Sequence, residues 1–266
     1  MVILPLISFY PKGKKAIGVE MRDGTKHYAD VVLSGIHPRS LFFDLTPSIE
    51  SVNSEFADRM KRYSSGSGTL RINVALSELP RFTCLPNEPL IHQSSILFSP
   101  SIKYIEEAYR DAQTIGYARR PVIEMMTPSA YDDTLAPPGK HVASLFCQHV
   151  DRDACRDADR KKEAVQAVIE TVDRMAPNFA SSIIGSPLAL APSDLEQRFG
   201  LVNGDIFHGH LSLAQIWMAR PVIGWGGYVT PITRMYQCGS GSHPGGGVTG
   251  YPGRNAAMKV IEDVSS

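Results

Sequence analysis

Residues 235–257 read Met-Tyr-Gln-Cys-Gly-Ser-Gly-Ser-His-Pro-Gly-Gly-Gly-Val-Thr-Gly-Tyr-Pro-Gly-Arg-Asn-Ala-Ala and hold seven of the chain's 22 glycines. A short apolar run, Met235 to Cys238, leads into the glycines. Ala256, Ala257, Val260, Ile261 and Val264 leave them at helical spacing. A strand, a glycine loop and a helix in this order aim free backbone N–H groups at an anion, with the positive end of the helix dipole behind them. Glycine serves there because a Cβ would hold a phosphate or a flat ring away from the backbone.

The stretch also contains a formal G-x-G-x-x-G, Gly245 to Gly250. That pattern marks a dinucleotide fingerprint only when it opens a βαβ unit with an acidic residue about 20 positions on. Sixteen residues follow Gly250, too few for helix, returning strand and acid. The glycines therefore read as a cofactor loop of another kind. A hydrolase reading fails on motif, since Gly-x-Ser-x-Gly does not occur and Ser240 and Ser242 beside His243 form no oriented triad. His208 and His210, with His243, have residue types that hold zinc, and His-x-His on an extended strand would put both rings on one face. No further ligand stands at motif spacing, so no metal is assigned.

Cys-Gly-Ser-Gly-Ser-His-Pro-Gly-Gly-Gly-Val-Thr-Gly resembles the C-terminal flavin-contacting motif of phytoene dehydrogenase-like FAD oxidoreductases, and within them the branch of pyridine nucleotide-disulfide oxidoreductase domain-containing protein 2. Arg71 to Leu76, Pro138 to Val142, Asp194 to Leu201, Ile206 to Gly209 and Arg220 to Val222 fit the same branch. The resemblance runs from about Ala16 to about Asp263. Ser242 departs from the family's usual threonine, and His210 from a more typical acidic residue.

The resemblance implies FAD as cofactor, held through the backbone of Gly239, Gly241, Gly245, Gly246, Gly247 and Val248. His208 and His210 fall on the substrate side, and no residue is assigned a catalytic role. It implies hydride transfer from a substrate C–H bond to flavin, with a separate electron acceptor. Family members are about twice this length and begin with a βα unit that binds the ADP half of FAD. No such segment precedes Met1, so the expected fold is α/β (α+β overall): the C-terminal part of an FAD-binding fold plus a mixed-sheet substrate domain with helices on one side. The expected divisions are 1–43, a remnant of the FAD-binding domain; 44–228, the substrate domain; and 229–266, the flavin-contacting strand, loop and helix. Two readings stay open, a flavoenzyme portion and a truncated, non-catalytic chain that at most binds a partner. On either, the isolated chain should hold FAD weakly or not at all, and should self-associate through exposed sheet edges.

The rest of the sequence fills in this frame. Asp23-Gly24 is a hairpin signal between Ile17–Arg22 and Lys26–Val32, and Ala29 to Gly35 reads as a buried strand. Ile49, Val52, Phe56 and Met60 share one helical stripe, as do Ile102, Ile105, Ala108 and Ala112 after an N-cap Ser101. A charged helix over 153–175 puts Val165, Val168, Ile169, Val172 and Met175 on one side. Leu70 to Leu76 alternates as a half-buried strand, and 96–99, 122–126 and 142–150 are further strands. The prolines at 86–89, 137–138 and 187–192 mark loops.

Lys+Arg and Asp+Glu both number 27, so a formal net charge of zero offers no attraction to nucleic acid. The four cysteines share no metal or redox spacing and read as free thiols of a reducing compartment. The apolar start, Met1 to Tyr10, is followed rather than preceded by lysines, and is too short to span a bilayer. It reads as a strand or a non-native start. An intracellular location is expected, mitochondrial matrix for a eukaryotic chain and cytoplasm otherwise.

Overall fold

The computed structural model describes residues 6–12, 14–46, 49–86 and 88–265. In chain order its elements begin with β1 (Leu6–Lys12), β2 (Lys15–Met21), β3 (Lys26–Tyr28), β4 (Val32–Ser34), α1 (Ile49–Val52) and α2 (Ser54–Lys61). Then come β5 (Thr69–Leu76), β6 (Ile96–Phe98), α3 (Ile102–Ile115), β7 (Tyr117–Met126), β8 (His141–Val150) and α4 (Ala158–Asp173). The last are α5 (Phe179–Ser182), β9 (Ile183–Leu190), α6 (Pro192–Phe199), β10 (Met235–Gln237) and α7 (Tyr251–Ser265). They form two compact units, one of residues 1–66 with 205–266 and one of residues 67–204. Residues 44–66 and 205–228 thus cluster with the two chain ends. Among the described residues no helix is long and apolar enough to cross a membrane.

In the first unit the Asp23-Gly24 hairpin joins β2 to β3, with the Asp23 carboxylate accepting from Thr25 N–H at 2.9 Å. The apolar start supplies β1, antiparallel to β2; residues 1–5 lie outside the described residues. The run 29–35 provides β4, which pairs in parallel with β10, Val32 opposite Met235 and Ser34 opposite Gln237. The helix expected through 49–60 is broken at Asn53, whose extended backbone (φ −158°) lets its side chain cap α2 by accepting from Phe56 N–H. Phe56 stays buried by packing edge-on against Phe42 (4.6 Å) and Trp225 (5.2 Å), beside Leu41, Ile49 and Met60.

The second unit is an antiparallel five-stranded sheet in the order β6-β7-β8-β5-β9. The alternation in β5 buries Leu70, Ile72, Val74 and Leu76 on one face, with Ile123, Met125, Leu145 and Cys147 from its neighbours. α4 covers that face through Ala164, Val168 and Val172, its start capped by Asp157 accepting from Arg160 N–H at 2.8 Å. Met175 falls beyond the helix and is exposed, unlike the rest of its predicted stripe. Ser101 caps α3 as expected, accepting from Tyr104 N–H.

Two proline-containing strands differ from the sequence reading. β9 occupies 183–190 and so takes in 187–190 of the loop expected over 187–192; it is an edge strand whose register jumps between Asn73 and Ala75, with Gly185 and Pro187 in the irregular stretch. β7 begins at Tyr117, five residues early, and its register with β8 breaks across Pro121. A proline fits a sheet at an edge or a bulge, where its missing N–H leaves no ladder bond unmade.

Candidate functional site

β4 and β10 run side by side and end together, so the segments leaving the two strands meet at their carboxyl ends, where parallel strands usually form a ligand crevice. Both exits carry glycine. Gly239 has φ +76°, a left-handed backbone, and a Cβ there would stand 3.3 Å from the Gly35 backbone. Cys238 N–H donates to Ser34 O at 2.8 Å, which ties the exits together. A Cβ at Gly241 would lie 2.7 Å from Pro38 Cδ and 3.1 Å from Gln237 Nε2, and one at Gly246 only 2.3 Å from the Phe207 ring. Gly245 lies against the Arg220 guanidinium; Gly247 and Val248 both have positive φ, and Val248 is fully exposed. α7 is anchored behind this loop by Tyr236 Oη donating to Asp263 at 2.9 Å, and by Asn255 to Tyr228 Oη and Tyr228 to His243 O.

Arg220 organises the loops around the crevice. It is fully buried, and its guanidinium donates to five backbone carbonyls: Ser240 (2.7 and 2.9 Å), Phe207 (2.6 Å), Gln215 (3.1 Å), His210 (3.3 Å) and Gly209 (3.4 Å). Asp205, also buried, accepts from the N–H groups of Gly66, Phe207 and Gly209. Gln215 clasps Ser64 from the side, its amide oxygen accepting from Ser64 N–H and its amide nitrogen donating to Ser64 O. These bonds fix the 205–215 segment in an irregular path, with φ +55° at His208 and +138° at Gly209.

The two histidines of that segment therefore part company. His208 turns inward, its ring 5.6 Å from that of His37 and its carbonyl accepting from Tyr63 Oη. His210 faces outward, 3.1 Å from Ser64 Oγ. The shared face that an extended His-x-His would give is absent because the backbone is not extended. Among the described residues no group of three or more His, Cys, Asp or Glu is placed to hold a metal.

Burial pushes the His208 imidazole below its ordinary value, against the pull of Asp205. His37 is driven further, to about 3, by burial first and then by His208, Arg39 and Arg220. Both rings are neutral at physiological pH. Tyr63 is pushed up to about 12, again by burial.

Whether these residues fit a bound cofactor is tested by their unsatisfied polar atoms. Seven buried side-chain atoms among the described residues have no hydrogen-bond partner, and five belong to this unit: His37 Nε2, His208 Nδ1, Gln237 Nε2 and Oε1, and His243 Nδ1. Each such group costs about 1–3 kcal/mol unless something bonds it. Buried polar groups on and just beyond the two strand ends fit a ligand rich in both donors and acceptors. An open cleft of about 500 Å³ also lies in this unit, lined by Arg59, Arg62, Tyr63, Gln215, Val222 and Ile223. None of the loop glycines lines it.

Sequence reasoning missed His37, Gln237, Arg220 and Asp205. The available signal was Gly35 directly after an apolar strand, followed by Ile36-His37-Pro38. An exit glycine in β4 is the counterpart of the one in β10.

No protein-family model matches this chain. It is 39% identical over 259 residues to pyridine nucleotide-disulfide oxidoreductase domain-containing protein 2 of Rattus norvegicus, covering 94% of this chain and 44% of that protein. It is 25% identical over 263 residues to a phytoene desaturase (lycopene-forming) of Paracoccus sp., covering 96% of this chain and 48% of the relative. Its fold matches an oxidoreductase from Methanosarcina mazei with a TM-score of 0.60 at 17% identity, over 97% of this chain and 48% of the other. The chain thus spans about half the length of the relatives it matches.

Proposed function

This chain belongs to the family of pyridine nucleotide-disulfide oxidoreductase domain-containing protein 2, among the phytoene dehydrogenase-like oxidoreductases, and we propose that its glycine crevice holds the flavin of an FAD-dependent oxidoreductase. The observation that carries the reading is the coincidence of two strand-exit glycines in backbone contact with five buried, unpartnered polar atoms in the same unit. Bound there, FAD would supply a hydride acceptor for a substrate C–H bond, with a separate acceptor taking the electrons onward. The chain's part is position and electrostatics. Gly239, Gly241, Gly245, Gly246, Gly247 and Val248 present backbone to the cofactor, while Arg220 holds Ser240 and Phe207 so that the loop keeps its shape. His208, neutral and inward, and His210 at the rim stand on the substrate side. No side chain is given a proton-transfer step.

Hydrogen–deuterium exchange with and without FAD tests this. Protection confined to 35–38 and 238–250 supports the reading, and protection elsewhere or nowhere refutes it.

One observation favours a second role beside the first. α7 buries only Pro252 and Ala256, leaving Met258, Ile261 and Val264 more than half exposed along one side, and β4 and β10 form a sheet of just two strands. Such a surface suits association with another polypeptide. Sedimentation velocity across a concentration series would show self-association, and a Met258→Glu/Ile261→Glu variant should abolish it. A monomer at all concentrations removes the self-association.

A further inference from the structure

Among the unpartnered atoms of this unit, His37 Nε2, just beyond the end of β4, is the one whose chemistry the surroundings fix. The residue lies three positions beyond the end of β4 and is 3% exposed. Its Nδ1 accepts from the Arg39 backbone N–H at 3.2 Å, so the proton of the neutral ring sits on Nε2. Turning the ring over would break the Arg39 bond. Tyr63 packs edge-on at 5.8 Å, but its hydroxyl is spent on the His208 carbonyl. The Asp205 carboxylate is committed to three backbone N–H groups. The charged groups that act on the ring, Arg39 and Arg220, are both cations and oppose its protonation. What remains is a neutral N–H donor, held by a backbone bond, buried, and without an acceptor.

A donor in this state is unfavourable to folding alone and is explained if a ligand completes it. We propose that His37 is a ligand-binding residue of the crevice, its Nε2–H donating a hydrogen bond to an acceptor oxygen of the bound flavin nucleotide. That oxygen is a carbonyl of the ring system or an oxygen of the diphosphate. The assignment rests on the flavin reading above and adds a side-chain contact to a site otherwise made of backbone.

Two substitutions separate the ligand role from a structural one. In His37→Asn the amide reaches the Nδ1 position, so the Arg39 bond survives and the Nε2 donor is lost. His37→Gln does the reverse. FAD affinity by equilibrium fluorescence titration and the melting temperature of the ligand-free chain are measured for both. The expected result is about tenfold weaker FAD binding in His37→Asn, the loss of one buried hydrogen bond. His37→Gln should keep its FAD affinity within about threefold while melting earlier.

Parent-like FAD affinity in His37→Asn overturns the proposal and leaves the flavin reading standing. Equal losses in both variants mark a structural role and overturn it too. No FAD binding by the unsubstituted chain overturns both readings. Riboflavin, which lacks the diphosphate, separates the two oxygens: a deficit seen with riboflavin and FAD alike assigns the ring carbonyl, and one seen with FAD alone assigns the diphosphate.

Discussion

Replacing Arg220 with methionine preserves an apolar stem of similar length and removes every donor. Five carbonyls, on Phe207, Gly209, His210, Gln215 and Ser240, lose the partner they share. Adding six bonds at the 1.5–3 kcal/mol typical of charged groups gives roughly 9–18 kcal/mol, which reaches or exceeds the whole stability of a small domain and so overcounts. The bonds converge on one group, the carbonyls recover water as the loops open, and the desolvation of the cation is relieved. A realistic loss is that of breaking one buried charged cluster, about 3–5 kcal/mol. Arg220→Lys keeps the charge but gathers its donors on one nitrogen instead of a planar fork, and should lose about half as much. Both tryptophans, Trp217 and Trp225, lie in the same unit as Arg220, so urea unfolding followed by tryptophan emission reports that unit directly. Far-ultraviolet circular dichroism follows the helices and sheets of the whole chain in the same samples. The expected result is a large shift in the tryptophan transition of Arg220→Met. A change below about 0.5 kcal/mol, the range of ordinary surface substitutions, would refute the view that Arg220 organises the crevice.

Three further outcomes follow from the same geometry. The folded pKa of His37 is about 3 against 6.5 for the free ring, so the unfolded chain takes up the proton first. Its contribution is intact above about pH 6.5 and is lost as pH falls toward 3, amounting to about 2 kcal/mol by pH 5; His37→Asn should flatten that slope in urea midpoints measured between pH 7.5 and 5. Gly246→Ala drives a methyl into the Phe207 ring and should destabilise the tryptophan-reported unit by about 1–3 kcal/mol. Gly253→Ala, within α7 with open space around the new methyl, should stabilise the same unit by about 0.5–1 kcal/mol.

Local signals in the sequence carried through wherever one residue's chemistry decided the outcome. Asp23-Gly24 made its hairpin, Ser101 and the alternating 70–76 behaved as their types demand, and the two apolar runs ending in Gly35 and Gly239 became one parallel pair. Signals failed where tertiary structure overrode them. Asn53 reads as one polar position in a helix stripe, yet its capping bond splits the helix. Pro187 reads as a loop because sequence alone does not reveal that its strand is an edge. Of the apolar row read on α7, Ala256 is buried, but Ala257, Ile261 and Val264 are exposed among the described residues. The crevice was half legible. Glycine density announces close approach of backbone, whereas a lone Arg220 or His37 in ordinary surroundings gives no warning that it is buried.

The most direct test of the central claim is an equilibrium titration of the chain with FAD, followed by flavin fluorescence, beside a Gly239→Val variant with native tryptophan emission. The variant sets a branched side chain against the Gly35 backbone at a left-handed position and so forces the two strand exits apart. Saturable binding of one FAD per chain, weak enough to be lost on gel filtration and absent in Gly239→Val, is the predicted result. Absence of saturable binding, or equal binding by the variant, would contradict a flavin site between the ends of β4 and β10.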